Sequence, residues 1–173
     1  MNRISISAAA LLLALLCGSG ASLDIPKDAS RALLAMPDGS KVEADIAITR
    51  QLQERVPMFK ETVPYNRGVL FVYNEGGSKT FWMKYNYLSL DIVFLDEEMK
   101  VSNIYSRVPR CDPARPESEA PRVSAPASFV LALAAGKALR SGLKPGYTIP
   151  VQFPRAGTKP RAKRSSTASA PGK

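Results

Sequence analysis

The side chains most suited to chemistry lie in one stretch, residues 80–101, which reads TFWMKYNYLSLDIVFLDEEMKV. This stretch combines an indole, an ammonium group and a carboxylate in Trp82, Lys84 and Asp91. Aromatic faces with a few polar groups are typical of sites that hold small polar molecules or glycans. We therefore take Trp82, Lys84 and Asp91 as candidate ligand-binding residues.

The elements that must position these side chains are two predicted strands, residues 81–86 and 90–96, both rich in aromatic and β-branched residues. Side chains alternate between the two faces of a strand, so Trp82, Lys84 and Asn86 share a face. Asp91 stands at the mouth of an otherwise apolar strand and is within reach of Lys84 if the two strands pair. Because a buried charge is costly unless it is paired, we favour a structural Lys–Asp pair, with a ligand-recognition face as the alternative.

Two tyrosines, Tyr85 and Tyr87, would form the rim of such a recognition face and are further candidate ligand-binding residues. A different chemistry would use Asp45 and Asp91 as an acid/base pair, since glycoside hydrolysis needs two carboxyl groups about 5–10 Å apart. No spacing in the sequence establishes that distance. Asp45 lies in an alternating predicted strand, and such a carboxylate more often serves as a turn or cap residue than as a catalyst. We therefore keep Asp45 as a binding candidate and name no catalytic residue.

The absence of histidine excludes several classes of site. The 173 residues contain no His, so a Ser-His-Asp triad, a His-activated cysteine and the usual zinc sites are not available. We expect neither a metal nor a cofactor, and we favour a non-enzymatic role.

The first 21 residues are typical of a signal peptide. Arg3 supplies the positive start, residues 4–16 are mostly apolar, and residues 19–21 read Ser-Gly-Ala, which suits cleavage by a signal peptidase. A bulky Leu precedes Cys17, which disfavours lipidation of that cysteine. We predict export to the periplasm or beyond, with no transmembrane segment after cleavage. Cleavage would leave Cys111 as the only cysteine and would exclude an intramolecular disulfide.

The net charge of +9 is concentrated at the C-terminus. Without Arg3 and the six basic residues after Phe153, 17 basic residues face 15 acidic residues. Residues 154–173 have no apolar period and no acidic residue, so we predict a disordered basic tail. An anionic envelope surface is the partner that such a tail would attract, and we predict no specific binding of nucleic acid.

Short strands separated by turn signals predict one mainly β domain over residues 22–153. Residues 31–36 and 41–48 form a predicted hairpin around the Pro-Asp-Gly-Ser turn. The other predicted strands cover residues 68–73, 101–108, 128–133 and 147–153. This spacing favours a single compact antiparallel sandwich or barrel, jelly-roll-like, with one or two short helices.

Three further segments complete the prediction. Residues 50–56 form a short helix that Pro57 ends, and residues 134–142 contain a helical turn closed by Gly. Residues 109–126 hold five prolines and mixed charge, and we predict a long surface loop there.

Three strings resemble a known family: RGVLFVY, FWMKYNYLSLDIVFLD and AAGKALRSGLKPG. They resemble domain-of-unknown-function family 192, whose pattern includes GMLFVF, FWMKNT-x-x-x-LDIxFxD and a later L-x-AG segment. The likeness covers residues 42–151 and implies a compact β-rich domain, often exported, with no activity to transfer. The chain departs from the family pattern at residues 56–58, Tyr85, Asn86, Ser89 and Tyr147.

Three functions remain open at this stage. The first is a non-enzymatic envelope binding module for a small polar ligand or glycan, and this is the one that we favour. The second is a carboxylate-based hydrolase that acts on envelope glycans. The third is a structural or assembly factor that acts through the tail and the Pro-rich loop.

Overall fold

The computed structural model describes residues 23–49, 62–73, 75–84, 86–112, 114 and 116–154. These ranges contain nine β-strands, one helical turn and one 3₁₀ turn. The strands are β1 (Arg31–Ala35), β2 (Lys41–Ala47), β3 (Arg67–Val72), β4 (Ser78–Trp82), β5 (Leu90–Leu95), β6 (Val101–Val108), β7 (Arg122–Pro126), β8 (Phe129–Ala134) and β9 (Val151–Gln152). The helical turn α1 spans Lys137–Arg140, and the 3₁₀ turn spans Glu117–Glu119. The predicted mainly β fold class is confirmed.

Seven of these strands form one sheet in the order β6-β5-β8-β3-β2-β1-β9. The two ends of the sheet meet, because the chain that leads into β9 bonds to the start of β6. The Val101 N–H donates to the Tyr147 carbonyl at 2.8 Å, and the Ile149 N–H donates to the Met99 carbonyl at 3.0 Å. The sheet therefore curls into a barrel, which leaves little of its edges exposed.

The barrel wall is buried on both faces along its central strands β3, β5 and β8. Alternate residues of β5 belong to two separate cores: Val93 and Leu95 lie inside the barrel, whereas Ile92 and Phe94 pack on its outer face. This alternation is the one that the apolar pattern of β5 predicts.

The outer core is covered by a ribbon of two strands, β4 and β7, which pair with each other. β4 therefore does not pair with β5, the condition under which Asp91 would lie within reach of Lys84. The predicted loop over residues 109–126 is wrong where β7 forms. Prolines at both ends of β7 gave the loop signal, but the edges and ends of strands tolerate proline because no ladder N–H is needed there.

The predicted hairpin is confirmed as β1 and β2, with Gly39 at φ 77 in the turn. By contrast, β2 and β3 are parallel, so the sheet is mixed rather than purely antiparallel. Parallel neighbours require a crossover connection. That connection runs from residue 48 to residue 66 and includes the undescribed residues 50–61.

The helical turn predicted within residues 134–142 is confirmed as α1, and Gly142 follows it at φ 74. The predicted signal peptide, the helix at residues 50–56 and the basic tail beyond Pro154 lie outside the described residues. Among the helices that the structure does describe, none has the length and apolar character needed to cross a membrane.

Candidate functional site

Asp91 is fully buried on β5, and its carboxylate accepts hydrogen bonds from three backbone N–H groups. Oδ1 accepts from Arg107 N at 2.7 Å and from Gly136 N at 2.9 Å, and Oδ2 accepts from Ala138 N at 2.9 Å. The predicted pair of Lys84 with Asp91 is therefore wrong, because main-chain donors supply the partners of this carboxylate. Asp91 joins β5, the end of β6 and the start of α1.

The contact between this carboxylate and β6 depends on a β-bulge. Leu90 faces Val108 but Ile92 faces Tyr105, so β6 carries one extra residue at this point. Arg107 lies in the bulge with φ 53, in the left-handed region that non-Gly residues rarely adopt. A bulge bends the strand and turns a side chain in a new direction, and here it presents the Arg107 N–H to the carboxylate.

Trp82 lies at the end of β4, and two cationic side chains contact its indole ring. Lys84 Nζ is 4.9 Å from the ring centroid, and Arg122 Cζ is 4.6 Å from it. Arg122 is the cross-strand neighbour of Trp82 in the β4–β7 ribbon. The sequence pointed to Trp82 and Lys84 but missed Arg122, because Arg122 lies in the segment predicted as a loop.

Two buried polar atoms of the segment 82–86, four residues apart in the chain, have no hydrogen-bond partner among the described residues. They are Trp82 Nε1, a donor, and Asn86 Oδ1, an acceptor, and Asn86 is only 1% exposed. An unpartnered buried polar group costs about 1–3 kcal/mol, so native proteins rarely retain one without a reason. Strand alternation placed Asn86 on the same face as Trp82 and Lys84, but the sequence analysis did not name it as a site residue. Its position two residues beyond Lys84 was the available signal.

A cavity of about 190 Å³ is formed by residues whose backbone bonds to this segment, although none of Trp82, Lys84, Asn86 and Arg122 lines it. Its walls are Arg110, Cys111, Asp112, Glu119, Ala120 and Pro121. The Cys111 N–H donates to the Asn86 carbonyl at 3.0 Å, and the Met83 N–H donates to the Pro121 carbonyl at 2.9 Å. These bonds hold the cavity wall against the 83–86 turn. We call Trp82, Lys84, Asn86 and Arg122 the Trp82 site.

The two predicted rim tyrosines have different outcomes. Tyr87 follows Asn86 directly and is 47% exposed, so it lies on the surface next to the Trp82 site. Tyr85 lies outside the described residues. The structure thus brings Trp82 and Lys84 into contact, and it leaves Tyr87 exposed three residues beyond Lys84 in the chain.

Asp45 is not part of the Trp82 site. It lies on β2, where Arg67 Nη2 contacts its carboxylate oxygens at 3.1 Å and Arg31 Nε contacts it at 3.5 Å. β2 is three strands from β5 in the sheet, which is about 14 Å at the usual strand spacing. Asp45 also faces outward, because Ala44 and Ile46 beside it face the barrel interior. The hypothesised acid/base pair of Asp45 with Asp91 is therefore not formed.

A second groove, of about 520 Å³, opens at the end of the barrel where β2 and β3 finish. Its apolar wall includes Ile48, Val72 and Phe129, which continue the inner core. Tyr73 also lines it, and burial raises the pKa of this phenol above its usual value of 10.0. The groove contains none of the predicted site residues.

A comparison with protein families identifies the family of this chain. The family model of DUF192, described as "Uncharacterized ACR", matches residues 33–151. The chain belongs to DUF192. The resemblance noted in the sequence is thereby confirmed. No curated protein matches the chain.

Two solved structures share the fold of this DUF192 protein. One is a protein of unknown function from Novosphingobium aromaticivorans, with 25% identity and a TM-score of 0.59, covering 77% of this chain and 93% of that one. The other, from Sinorhizobium meliloti, is named as a candidate transcription regulator. It has 24% identity and a TM-score of 0.57, and covers 76% of this chain and 98% of that one. This second likeness shows the fold alone.

Membership of DUF192 gives the Asp91 contacts a clear meaning. The residues LDI (90–92) and AGK (135–137) belong to two of the three segments on which the family resemblance rests. The Asp91 carboxylate binds Gly136 and Ala138, so it ties these two segments together in space. In this DUF192 chain the aspartate of LDI is a structural residue.

Proposed function

We propose that this DUF192 protein is a non-enzymatic binding module of the cell envelope that holds a small anionic ligand at the Trp82 site. The observation that carries the proposal is that one short segment holds two unpartnered buried groups, Trp82 Nε1 and Asn86 Oδ1, and that two cations contact its Trp82 ring. One donor and one acceptor that lack partners suit a ligand with both a hydrogen-bond acceptor and a donor.

The charge of the ligand is inferred from the charges around the indole. Lys84 and Arg122 both contact the Trp82 ring, so the ring is not a bare platform on which a neutral sugar can stack. Their positive charges favour a carboxylate or a phosphate. An acidic sugar or another small organic acid therefore fits better than a neutral glycan.

For the size of the ligand, the space that the structure offers is the cavity lined by Cys111 and Pro121, whose backbone bonds to Asn86 and Met83. Its volume of about 190 Å³ is below the roughly 300–1,000 Å³ typical of pockets for drug-sized ligands. This volume suits one small molecule or the end of a longer one, and it is too small for an extended oligosaccharide.

The cellular place in this proposal is the envelope. It rests on the sequence of residues 1–21, with Arg3, the apolar run and the Ser-Gly-Ala end. A hydrolase is the weaker alternative, because Asp45 and Asp91 lie on opposite faces of the sheet and because the oxygens of Asp91 accept backbone hydrogen bonds.

Mass spectrometry of small molecules that copurify with the protein from its native envelope tests the proposal. We expect wild-type protein to retain an anionic molecule. Trp82→Phe replaces the indole by a smaller aromatic ring that has no N–H. This variant should retain at least about tenfold less of the molecule, as should Asn86→Leu. Asn66→Leu, at an exposed asparagine outside the site, is the matched control.

Circular dichroism of each variant would confirm that the fold is intact. Equal retention by wild type and both site variants would contradict the proposed site. Wild-type protein that carries no small molecule, or only a neutral glycan, would contradict the proposed ligand class.

A further inference from the structure

A second group of cations surrounds Tyr65, at the end of the barrel where α1 lies. Lys137 Nζ is 4.8 Å from the Tyr65 ring centroid, and Arg140 Cζ is 5.3 Å from it. Arg107, re-aimed by the β-bulge, reaches the same place from β6. We call Tyr65, Arg107, Lys137 and Arg140 the Tyr65 cluster; it shares no residue with the Trp82 site.

The cluster differs in its charge balance from the other arginines of the barrel wall. Arg31 and Arg67 form ion pairs with carboxylates of β2. Within the described part of the chain, no carboxylate forms an ion pair with Arg107, Lys137 or Arg140. The cluster thus places three positive charges close together.

In the part of the chain that the structure describes, two carboxylates near the cluster, Asp91 and Asp38, accept hydrogen bonds from other groups. Asp91 is buried and accepts three backbone N–H groups. Asp38 accepts from the Ser40 N–H at 2.9 Å, and hydrogen bonds from Ser40 hold the pKa of Asp38 below its usual 3.8. Ser40 Oγ also accepts from Lys137 Nζ at 2.7 Å, which holds the ammonium group of this lysine in place. The ion pairs among the described residues include neither of the two guanidinium groups.

Arg107 and Arg140 converge on the space beside Gly136. A methyl group on Gly136 would stand 3.6 Å from Nε and Nη2 of Arg107 and 3.8 Å from Nε of Arg140. Glycine at φ +80 leaves that space open. The Tyr65 ring, 41% exposed, borders the space where Arg140 contacts it.

We propose that the Tyr65 cluster is a binding site for a phosphate group. Two convergent guanidinium forks match the oxygens of a phosphate, which accept paired N–H bonds, and the dianion relieves the repulsion between the arginines. Lys137, buried behind them, adds positive potential without needing direct contact. This proposal does not depend on the Trp82 site.

The phosphate could be carried by a soluble monoester or by a lipid. Leu139 is 71% exposed on α1, next to Arg140, and would add apolar contact at a lipid surface. Glycerol phosphate in solution and vesicles containing an anionic phospholipid therefore serve as the two probes.

Titration of the full chain with glycerol phosphate, followed by NMR of the Arg107 and Arg140 Nε–H signals, tests the site. We expect saturable shifts in the wild type. Arg107→Gly, which also suits the positive φ, and Arg140→Gln should each weaken binding by about tenfold. Lys144→Gln, at an exposed turn lysine, is the control and should leave binding unchanged.

The vesicle arm uses the same variants together with Leu139→Ser, all with the same C-terminal tail. The phosphate belongs to a lipid if the arginine variants and Leu139→Ser lose vesicle binding while the wild type binds glycerol phosphate only weakly. Binding of glycerol phosphate that Leu139→Ser leaves intact assigns it to a soluble ester. If Arg107→Gly and Arg140→Gln behave like Lys144→Gln in both arms, the proposal is wrong.

Discussion

At the residue scale, the structure separates side chains that hold the fold together from side chains that can meet a ligand. Alternation along the two predicted strands placed Trp82 and Lys84 on one face of their strand, and placed Asp91 on the face opposite Ile92. The partners of Asp91 could not be predicted, because Gly136 and Ala138 lie more than 40 residues further along the chain. A carboxylate in an apolar strand reveals that it needs partners, but not which ones.

The structural role of Asp91 leads to a stability prediction. Asp91→Ala should lower the free energy of unfolding by about 3 kcal/mol or more, because three N–H groups lose their acceptor. Lys84→Met should cost less than about 1 kcal/mol, since it removes a cation–π contact at a partly exposed site. The double variant should be additive within about 0.5 kcal/mol, because the two residues share no partner.

Denaturant unfolding of the three variants checks this prediction. A coupling of 1.5 kcal/mol or more between the two positions, on the scale measured for residues in direct contact, would restore the Lys84–Asp91 pair that the sequence suggested.

For Asn86 we predict a gain in the free energy of unfolding rather than a loss. Asn86→Leu keeps the shape of the side chain and removes an amide oxygen that is buried without a partner. In ligand-free protein this variant should raise the free energy of unfolding by about 1–2 kcal/mol while it abolishes ligand retention. A loss of stability greater than about 1 kcal/mol in urea unfolding would show that the amide is already satisfied.

At the element scale, local signals predicted the structure well where the turn itself sets the pairing. The Pro-Asp-Gly-Ser turn fixed the β1–β2 hairpin, and Gly142 marked the end of α1. The pairings of β5 with β8 and of β4 with β7 join segments that are far apart in sequence, and no turn specifies them. These long-range pairings determine where the Trp82 site lies, so its geometry was beyond a sequence-based prediction.

The close approach of β3 and β8 gives a prediction at this scale. A Cβ on Gly68 would lie 2.9 Å from the Ala132 carbonyl oxygen and 3.1 Å from Leu133 Cδ2. Because a backbone carbonyl cannot move aside easily, Gly68→Ala should lower the free energy of unfolding by about 1–3 kcal/mol. Gly76→Ala is the matched control, since a Cβ there meets nothing within 4 Å. Thermal unfolding that shifts both variants equally would contradict the tight β3–β8 contact.

At the scale of the whole molecule, charge is divided between the folded body and the C-terminal segment. The barrel carries cationic groups at the Trp82 site and at the Tyr65 cluster, while the sequence places six more basic residues beyond Phe153. The sequence predicted this asymmetry from composition alone. It could not reveal the two cationic groups of the barrel, since folding brings their members together from different strands.

The composition of the tail gives a whole-molecule prediction. Deleting residues 154–173 should leave the melting temperature of the protein nearly unchanged, because the segment has no apolar face to bury. The deletion should also weaken binding to anionic vesicles in a salt-dependent way. A drop of several degrees in calorimetry would show that the tail packs against the barrel.

The central claim is that a ligand satisfies Asn86 and Trp82, and a crystal structure of protein purified from its native envelope tests this claim most directly. The account predicts electron density for a small anionic molecule within hydrogen-bond distance of both Asn86 Oδ1 and Trp82 Nε1, next to Arg122. A structure in which these two atoms bond to each other, or to a single water and nothing else, would contradict it.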